Sequence, residues 1–415
     1  MRCGKASLAF RRSACSSARK GDCAAESFAA CVTANGWRID RFAWQWSRER
    51  YRNKRAPMKI THVDVISTVV PQNFGRYQGR LPVVVARIRT DAGIDGIGHT
   101  FSLNPEFQRS LSAMVRDLGD LIIGEDPRQI EHVFARMIYP SNFVGPGGLL
   151  NIAAAAIDIA LWDVWGKETG QPLWRLLGGH ANHVRTYQSN AAMGNRPDVL
   201  QRQAAELVAK GHRAVKIRPH AERDARVEDV VARVRAVREA IGYDVDLLYD
   251  VNQTWTPSRA IRVGRALEEF ELFWLEDPTA MHDIEGQAAV AQALDVPICA
   301  GEYHYDPVSL LRLLKARAVD YLMVDMCRMG GITQFRKAAA LAESFGVPVA
   351  SHLIPEIFAH CIAAVPNGLI AEWMDWSSIL FDGLPVLADG SLHLSERPGH
   401  GLTLLEDVVQ KYRVD

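Results

Sequence analysis

At 415 residues, 48% apolar and 23% charged, the chain carries enough core for more than one ordinary domain and shows no disordered or fibrous bias. No stretch approaches the roughly 18 uninterrupted apolar residues of a membrane span, so a membrane is not an expected partner. The formal charge of +0 hides an asymmetry: residues 1–57 hold 13 Lys/Arg against 4 Asp/Glu, a net of +9, which leaves −9 on residues 58–415 and argues against nucleic acid as a partner.

The first 57 residues hold four of the seven cysteines (Cys3, Cys15, Cys23, Cys31) and no amphipathic period. Their longest apolar stretch, Ala6–Phe10, is too short for a signal peptide, and the cysteine spacing fits no common zinc pattern. They read as a disordered extension or an upstream mis-start, with the folded protein beginning at Met58. From there KITHVDVISTVV (59–70), PVVVARIR (82–89) and GIDGIGHTF (93–101) are predicted strands, the last two joined by a turn at Asp91-Ala-Gly. Helical patterns follow at 105–122 and 127–138. GPGG (145–148) then leads into the apolar helix LLNIAAAAIDIALWDVWGKETG, which makes 58–183 an α+β unit.

From about Val184 strands and helices alternate. Strand candidates fall near 184–190, 213–218, 245–250, 272–276, 297–301, 321–325, 348–352 and 369–373. Helical segments such as 225–241, 257–269, 284–294, 307–317 and 333–346 separate them. The pattern favours a closed (β/α)8 barrel of the TIM type over 184–383; an open doubly wound sheet is the alternative, but no Gly-rich phosphate loop follows the first strand. The tail, 384–415, is expected to pack on the N-terminal domain. Cys299, Cys327 and Cys361 lie in apolar barrel segments and read as reduced core residues of a cytoplasmic enzyme.

Asp250, Glu276 and Glu302 recur 26 residues apart, each near the end of a strand candidate: DVDLLYD, FWLED and VPICAGE. That spacing is about one strand-helix repeat, and barrel active sites sit where the strands end. Three acids aimed into one small volume repel one another, and a hard divalent cation with oxygen ligands resolves the conflict. The three are candidate metal ligands, while Asp277, just before Pro278, reads as a local residue.

The motifs AVKIR (214–218), DVNQ (250–253), LEDP (275–278), GE (301–302), VDMCRMGGIT (324–333), SHLIPEIFAH (351–360) and AEWMD (371–375) stand in order at barrel spacing. From about 59 to the C-terminus the chain resembles the mandelate racemase branch of the enolase superfamily. The resemblance implies an α+β capping domain over the barrel mouth, one Mg2+ per subunit, and abstraction of the proton next to a carboxylate of a small-molecule substrate. It also implies a homo-oligomer, an octamer being one form. A proton α to a carboxylate is weakly acidic because its removal places a second negative charge on the carboxylate oxygens. A metal chelating that carboxylate offsets the charge, and a Lys or His base takes the proton.

Asp325 ends the sixth strand and His352 the seventh, where the family places its Asp-His dyad; a carboxylate on one imidazole nitrogen fixes the tautomer and raises basicity. Glu372, at the end of the eighth, matches an acid that hydrogen-bonds the substrate carboxylate and must be protonated to donate. On the second strand the chain departs from the Lys-x-Lys of many relatives with Lys216-Ile217-Arg218. Arginine is a poor base at neutral pH, so two-base racemisation is disfavoured, whereas His352 alone suffices to remove the α-proton and return it to a departing β-hydroxyl. The expected reaction is dehydration of an aldonate or aldarate to a 2-keto-3-deoxy acid, with Lys216 and Arg218 stabilising charge. Asn252 matches a substrate-contacting position.

Specificity is expected in the capping loops 71–80, through Arg76, Tyr77 and Arg80, and 99–105, with Tyr303, His304, His220 and Trp255 as further candidates for the pocket wall. Epimerisation or cycloisomerisation from the same intermediate, and a non-catalytic barrel, are the competing readings.

Overall fold

The computed structural model describes residues 58–71, 79–145, 147–189, 196–218 and 225–414, and these belong to one compact unit. The N-terminal extension lies outside the described residues. Strands β1 (Ile60–Pro71), β2 (Arg80–Thr90) and β3 (Gly96–Phe101) form an antiparallel sheet in that order, with Val65 opposite Ala86 and Val85 opposite His99. Helices α1 (Gln108–Asp120), α2 (Ile130–Ile138) and α3 (Leu149–Thr169) complete this cap. The sheet meets α3 at bare backbone. A Cβ on Gly98 would lie 2.2 Å from the Ala156 carbonyl oxygen, and one on Gly96 2.3 Å from that of Ala160. By length and mean hydropathy α3 qualifies as a membrane span, although no uninterrupted apolar run marks it as one. It is the buried core helix of the cap, apolar on all sides because both sides are covered.

A short helix, α4 (Leu173–Leu176), leads into eight parallel strands: β4 (His183–Gln188), β5 (Ala214–Ile217), β6 (Asp246–Asp250), β7 (Trp274–Glu276), β8 (Ile298–Ala300), β9 (Tyr321–Asp325), β10 (Val349–His352) and β11 (Gly368–Trp373). Each pairs with the next, and β11 returns to β4, Glu372 opposite Tyr187, so the barrel closes. The crossovers carry α5 (Pro197–Ala209), α6 (Val227–Ile241), α7 (Pro257–Leu267), α8 (Ile284–Ala293), α9 (Pro307–Ala316), α10 (Met326–Met329), α11 (Ile332–Glu343) and α12 (Pro355–Ala363). One side chain from every strand fills the interior below the mouth: Tyr187, Ala214, Leu248, Trp274, Cys299, Met323, Ala350 and Ile370 form a buried apolar cluster. This is a packed floor, not a pore.

The tail divides its contacts. Strand β12 (Phe381–Asp382) precedes a hairpin of β13 (Val386–Ala388) and β14 (Ser391–His393), and β14 extends the barrel sheet by pairing with β4, Leu392 opposite Val184. Strand β15 (Thr403–Leu404) pairs with β12. The tail also packs on the cap: the His400 N–H donates to Asp163 Oδ1 of α3 (3.3 Å), His400 Nε2 lies 2.8 Å from the Ile97 carbonyl of β3, Glu406 of the last helix, α13 (Glu406–Tyr412), pairs with Arg87, and the Val414 N–H donates to the Ser67 carbonyl (2.9 Å). The tail therefore serves both parts, closing the free edge of β4 and packing on the cap.

Candidate active site

Strand ends deliver the acids. Asp250 and Glu276 are the last residues of β6 and β7 and lie side by side in register; Glu302 follows β8 by two residues, and all three are buried. Lys216 on β5, itself buried, donates to Glu276 Oε1 at 2.5 Å and pairs with Glu372 Oε1 at 3.0 Å. The Trp274 indole donates to the other Glu276 oxygen (2.8 Å). Arg218 Nε lies 3.1 Å from Asp250 Oδ2, and Nη2 donates to Ser189 and to Glu372 Oε1 (3.3 Å). Asn252, in a left-handed conformation (φ 47°), donates its side-chain amide to both Asp250 oxygens at 2.9 Å. That arrangement orients Asp250 and leaves Asn252 facing the acid.

Burial and mutual repulsion with Glu302, Glu276 and Asp250 hold Asp277 well above the carboxylate range. Glu276 is raised likewise, by burial and by Asp250, Glu302 and Glu372, against the opposing pull of Lys216. Asp277 Oδ2 is buried with no hydrogen-bond partner, and carboxylate oxygens of Asp250, Glu276 and Asp277 lie within 4.8 Å of one another. An orphaned buried oxygen inside a cluster of competing acids is the environment that a hard, oxygen-preferring cation satisfies. Asp277, read as a local residue from sequence, thus stands inside the cluster, while Glu302 leans the other way.

Glu302 Oε2 lies 3.2 Å from His352 Nε2, and His352 Nδ1 is 2.7 Å from Asp325 Oδ2. The imidazole at the end of β10 is therefore gripped at Nδ1 by the carboxylate ending β9, as a base needs, and its Nε2 faces the acid cluster. Burial raises the Asp325 carboxyl, but Arg328 and His352 outweigh it, and the net shift is downward. Glu372 accepts from the Leu353 N–H (2.7 Å). Against its burial, Lys216, His352 and Arg218 hold it down at about 2. The expectation that a dry site keeps Glu372 protonated does not hold in this arrangement, because two cations flank it. Lys216 is raised despite burial by Glu276 and Glu372, and Arg218 by Asp250 and Glu372, so both remain charged.

Tyr303 lies under the Arg328 guanidinium, 4.7 Å from ring centroid to carbon. A cavity of about 770 Å3 opens beside Asp325, Arg328 and Leu353 and is walled on the cap side by Phe101, Leu103 and Phe107, so part of the 99–105 segment meets the dyad. Arg76, Tyr77 and His220 lie outside the described residues. Arg80 lines a separate cap groove with Arg109 and Arg116. Trp255 is core, packed near Tyr249 in the cluster between helices and barrel wall, and His304 is buried. Sequence reasoning passed over Trp274, Ser189, Arg328 and Asn151. Trp274 and Arg328 stood within quoted motifs, two residues before Glu276 and three after Asp325, which is the signal that places them at the site.

Residues 59–178 match the mandelate racemase/muconate lactonizing enzyme N-terminal domain, and residues 199–408 match the enolase C-terminal domain-like family. The chain belongs to the mandelate racemase/muconate lactonizing enzyme family of the enolase superfamily. Among its relatives, an L-talarate/galactarate dehydratase of Salmonella typhimurium is 34% identical over 328 residues, 78% of this chain and 81% of the relative. A 3,6-anhydro-alpha-L-galactonate cycloisomerase of Streptomyces coelicolor is 32% identical over 326 residues, 78% of this chain and 89% of the relative. The crystal structure of an L-talarate dehydratase from a Polaromonas species, complexed with Mg and L-glucarate, superposes with a TM-score of 0.81 at 33% identity, covering 86% of this chain and 98% of that one.

Proposed function

We propose that this protein is a Mg2+-dependent sugar-acid dehydratase, a hydro-lyase that converts an aldonate or aldarate to a 2-keto-3-deoxy acid. The observation that carries the reading is the Asp325–His352 dyad aimed at a buried acid cluster whose second-strand partners among the described residues, Lys216 and Arg218, are held charged. In this reading Asp250, Glu276 and Glu302 hold Mg2+, with Asp277 completing the negative field. When bound, the ion supplies Lewis-acid neutralisation of the substrate carboxylate.

The protein's own groups do the rest. His352 Nε2 takes the α-proton, with Asp325 keeping Nδ1 protonated and stabilising the imidazolium. Lys216 and Arg218 offset the charge that develops on the substrate. The same imidazolium then returns its proton to the β-hydroxyl as it departs as water. Two-base epimerisation lacks a neutral base opposite His352 among the described residues. Asn252 belongs to this reading as the residue that orients Asp250, Tyr303 as part of the wall, and Arg76 and Tyr77 as candidate substrate contacts.

A homo-oligomer, an octamer being one form, is part of the proposal; the exposed apolar run Tyr139, Phe143 and Val144 supports a covered surface, and light scattering after size exclusion tests it. A cytoplasmic location is supported by three buried, unpaired cysteines, Cys299, Cys327 and Cys361. The deciding experiment is a sugar-acid panel with Mg2+, read as 2-keto-3-deoxy acid formed, beside His352→Asn. Product from one or two acids that vanishes in the variant supports dehydration. Solvent deuterium entering the α-position without product overturns it in favour of isomerisation.

A further inference from the structure

Arg328 joins parts of the molecule that the proposed chemistry needs aligned. Its backbone N–H donates to Asp325 Oδ1 (2.8 Å), while Nη1 donates to Asp325 Oδ2 (3.1 Å) and to the Glu302 carbonyl (3.0 Å). Asp325 Oδ2 is the same oxygen that grips His352 Nδ1. One guanidinium therefore ties the turn after β8 to the turn after β9, and it shares an acceptor with the imidazole of β10.

The cap takes part. Asn151, near the start of α3 and buried, donates from Nδ2 to the Arg328 carbonyl (3.2 Å) and the Tyr305 carbonyl (2.7 Å), and its Oδ1 accepts from the Gly147 N–H (3.1 Å). Gly147 adopts φ 100° and meets Tyr305, where an added Cβ would lie 3.3 Å from the tyrosine Cβ. One cap side chain thus pins two barrel turns and the glycine loop before its own helix.

We propose that Arg328 is a positioning residue that fixes the Asp325–His352 dyad for proton transfer, and that Asn151 sets the place of Arg328, so that docking of the cap and alignment of the dyad are one event. The inference rests on the dehydratase reading. Arg328 acts through Asp325: its Nη1 donates to Asp325 Oδ2 and to the Glu302 carbonyl, the guanidinium covers Tyr303, and the Glu302 carboxylate stands farther off, 3.6 Å from Nη1 and beyond hydrogen-bond distance. Its loss therefore moves the rate of the chemical step, not substrate affinity.

The test uses the full-length protein with Mg2+ and whichever sugar acid it dehydrates. Arg328→Met is expected to lower kcat by about 10–100-fold, in line with removal of an orienting partner, with KM and the Mg2+ Kd from calorimetry within twofold. Arg328→Lys, which keeps one donor and the charge, recovers part of the loss. Asn151→Leu is expected to lower kcat by about 3–10-fold, again without a KM change, and to slow His352-dependent α-proton exchange in D2O by the same factor. Arg328→Met with wild-type kcat overturns the proposal. So does a rise in KM alone, which would make Arg328 a substrate contact, or a lost Mg2+ affinity, which would make it support for Glu302. If Arg328→Met does not fold, Arg328→Lys and Asn151→Leu decide alone, and unchanged kcat in both sinks the idea. A wild-type protein that neither dehydrates nor exchanges any acid refutes the dehydratase reading itself, and that outcome is distinct from all of these.

Discussion

The two halves of the barrel rim are built by one rule and charged by another. On β5 to β7 and β11, acids face permanent cations: Lys216 lies between Glu276 and Glu372, and Arg218 between Asp250 and Glu372. On β8 to β10, Glu302 and Asp325 face the imidazole of His352, the proposed base. The first half is a fixed electrostatic field; the second, in the proposed reaction, is a proton carrier with an orienting acid. The difference teaches that strand-end placement specifies a location only, and that the partner one strand away determines what an acid there can do.

Breaking the second half costs most. His352→Asn is expected to lower dehydration by about 10³-fold or more, general-base contributions being of order 10²–10⁴, while Mg2+ still raises the melting temperature. Loss of both effects would place His352 in the first half instead. Glu276→Ala breaks the fixed field: the Mg2+-dependent rise in melting temperature is expected to disappear in differential scanning fluorimetry, and activity with it. Retention of the full shift would move metal binding away from β7.

Two smaller changes sharpen the contrast. Asn252→Ala releases both Asp250 oxygens and is expected to weaken Mg2+ by about tenfold in calorimetry, orienting partners being worth 10–100-fold, with little change in kcat at saturating metal. An effect on KM for substrate alone would return Asn252 to a contact role. The last is a pH dependence in the metal-free protein. Glu372 is held at about 2 against an ordinary 4.5, so its ionised form stabilises the fold above pH 4.5, and that stability is lost as pH falls towards 2. The contribution is at most about 3 kcal/mol, at roughly 1.4 kcal/mol per unit. Urea unfolding in EDTA at pH 7 and pH 3 should show wild type losing more than Glu372→Gln, and equal losses would mean that the flanking cations do not act on Glu372.

The barrel was legible because most of its strands are short apolar runs, and β6, β7, β9 and β10 end on Asp250, Glu276, Asp325 and His352. LLYD, WLE and YLMVD end β6, β7 and β9 where their acids stand, and the observed strands differ from expectation by a few residues at most. The acids were legible through their repeat. What could not be read were relations across the fold: which way Glu302 turns, that Asn252 spends its amide on Asp250, that two cations keep Glu372 ionised, and that the tail pairs with β4 as well as packing on the cap. None of these leaves a period in the sequence, because each depends on contacts between distant segments. Asn151 shows the limit well, since a lone amide in a run of Ala, Ile and Leu gives no hint that it bonds residues 154 and 177 positions away.

The ring of eight side chains below the mouth has a consequence for traffic. Tyr187 and Trp274 pack edge-on at 5.3 Å within that ring, and its members are essentially without solvent exposure. Interiors packed to crystal-like density admit no water column, so water and ions have no passage to the acids through the barrel axis. Every molecule that reaches or leaves them, the released water included, crosses the cap side. Turnover at saturating substrate is then open to control by the opening rate of that side, and solvent viscosity is the variable that would reveal it.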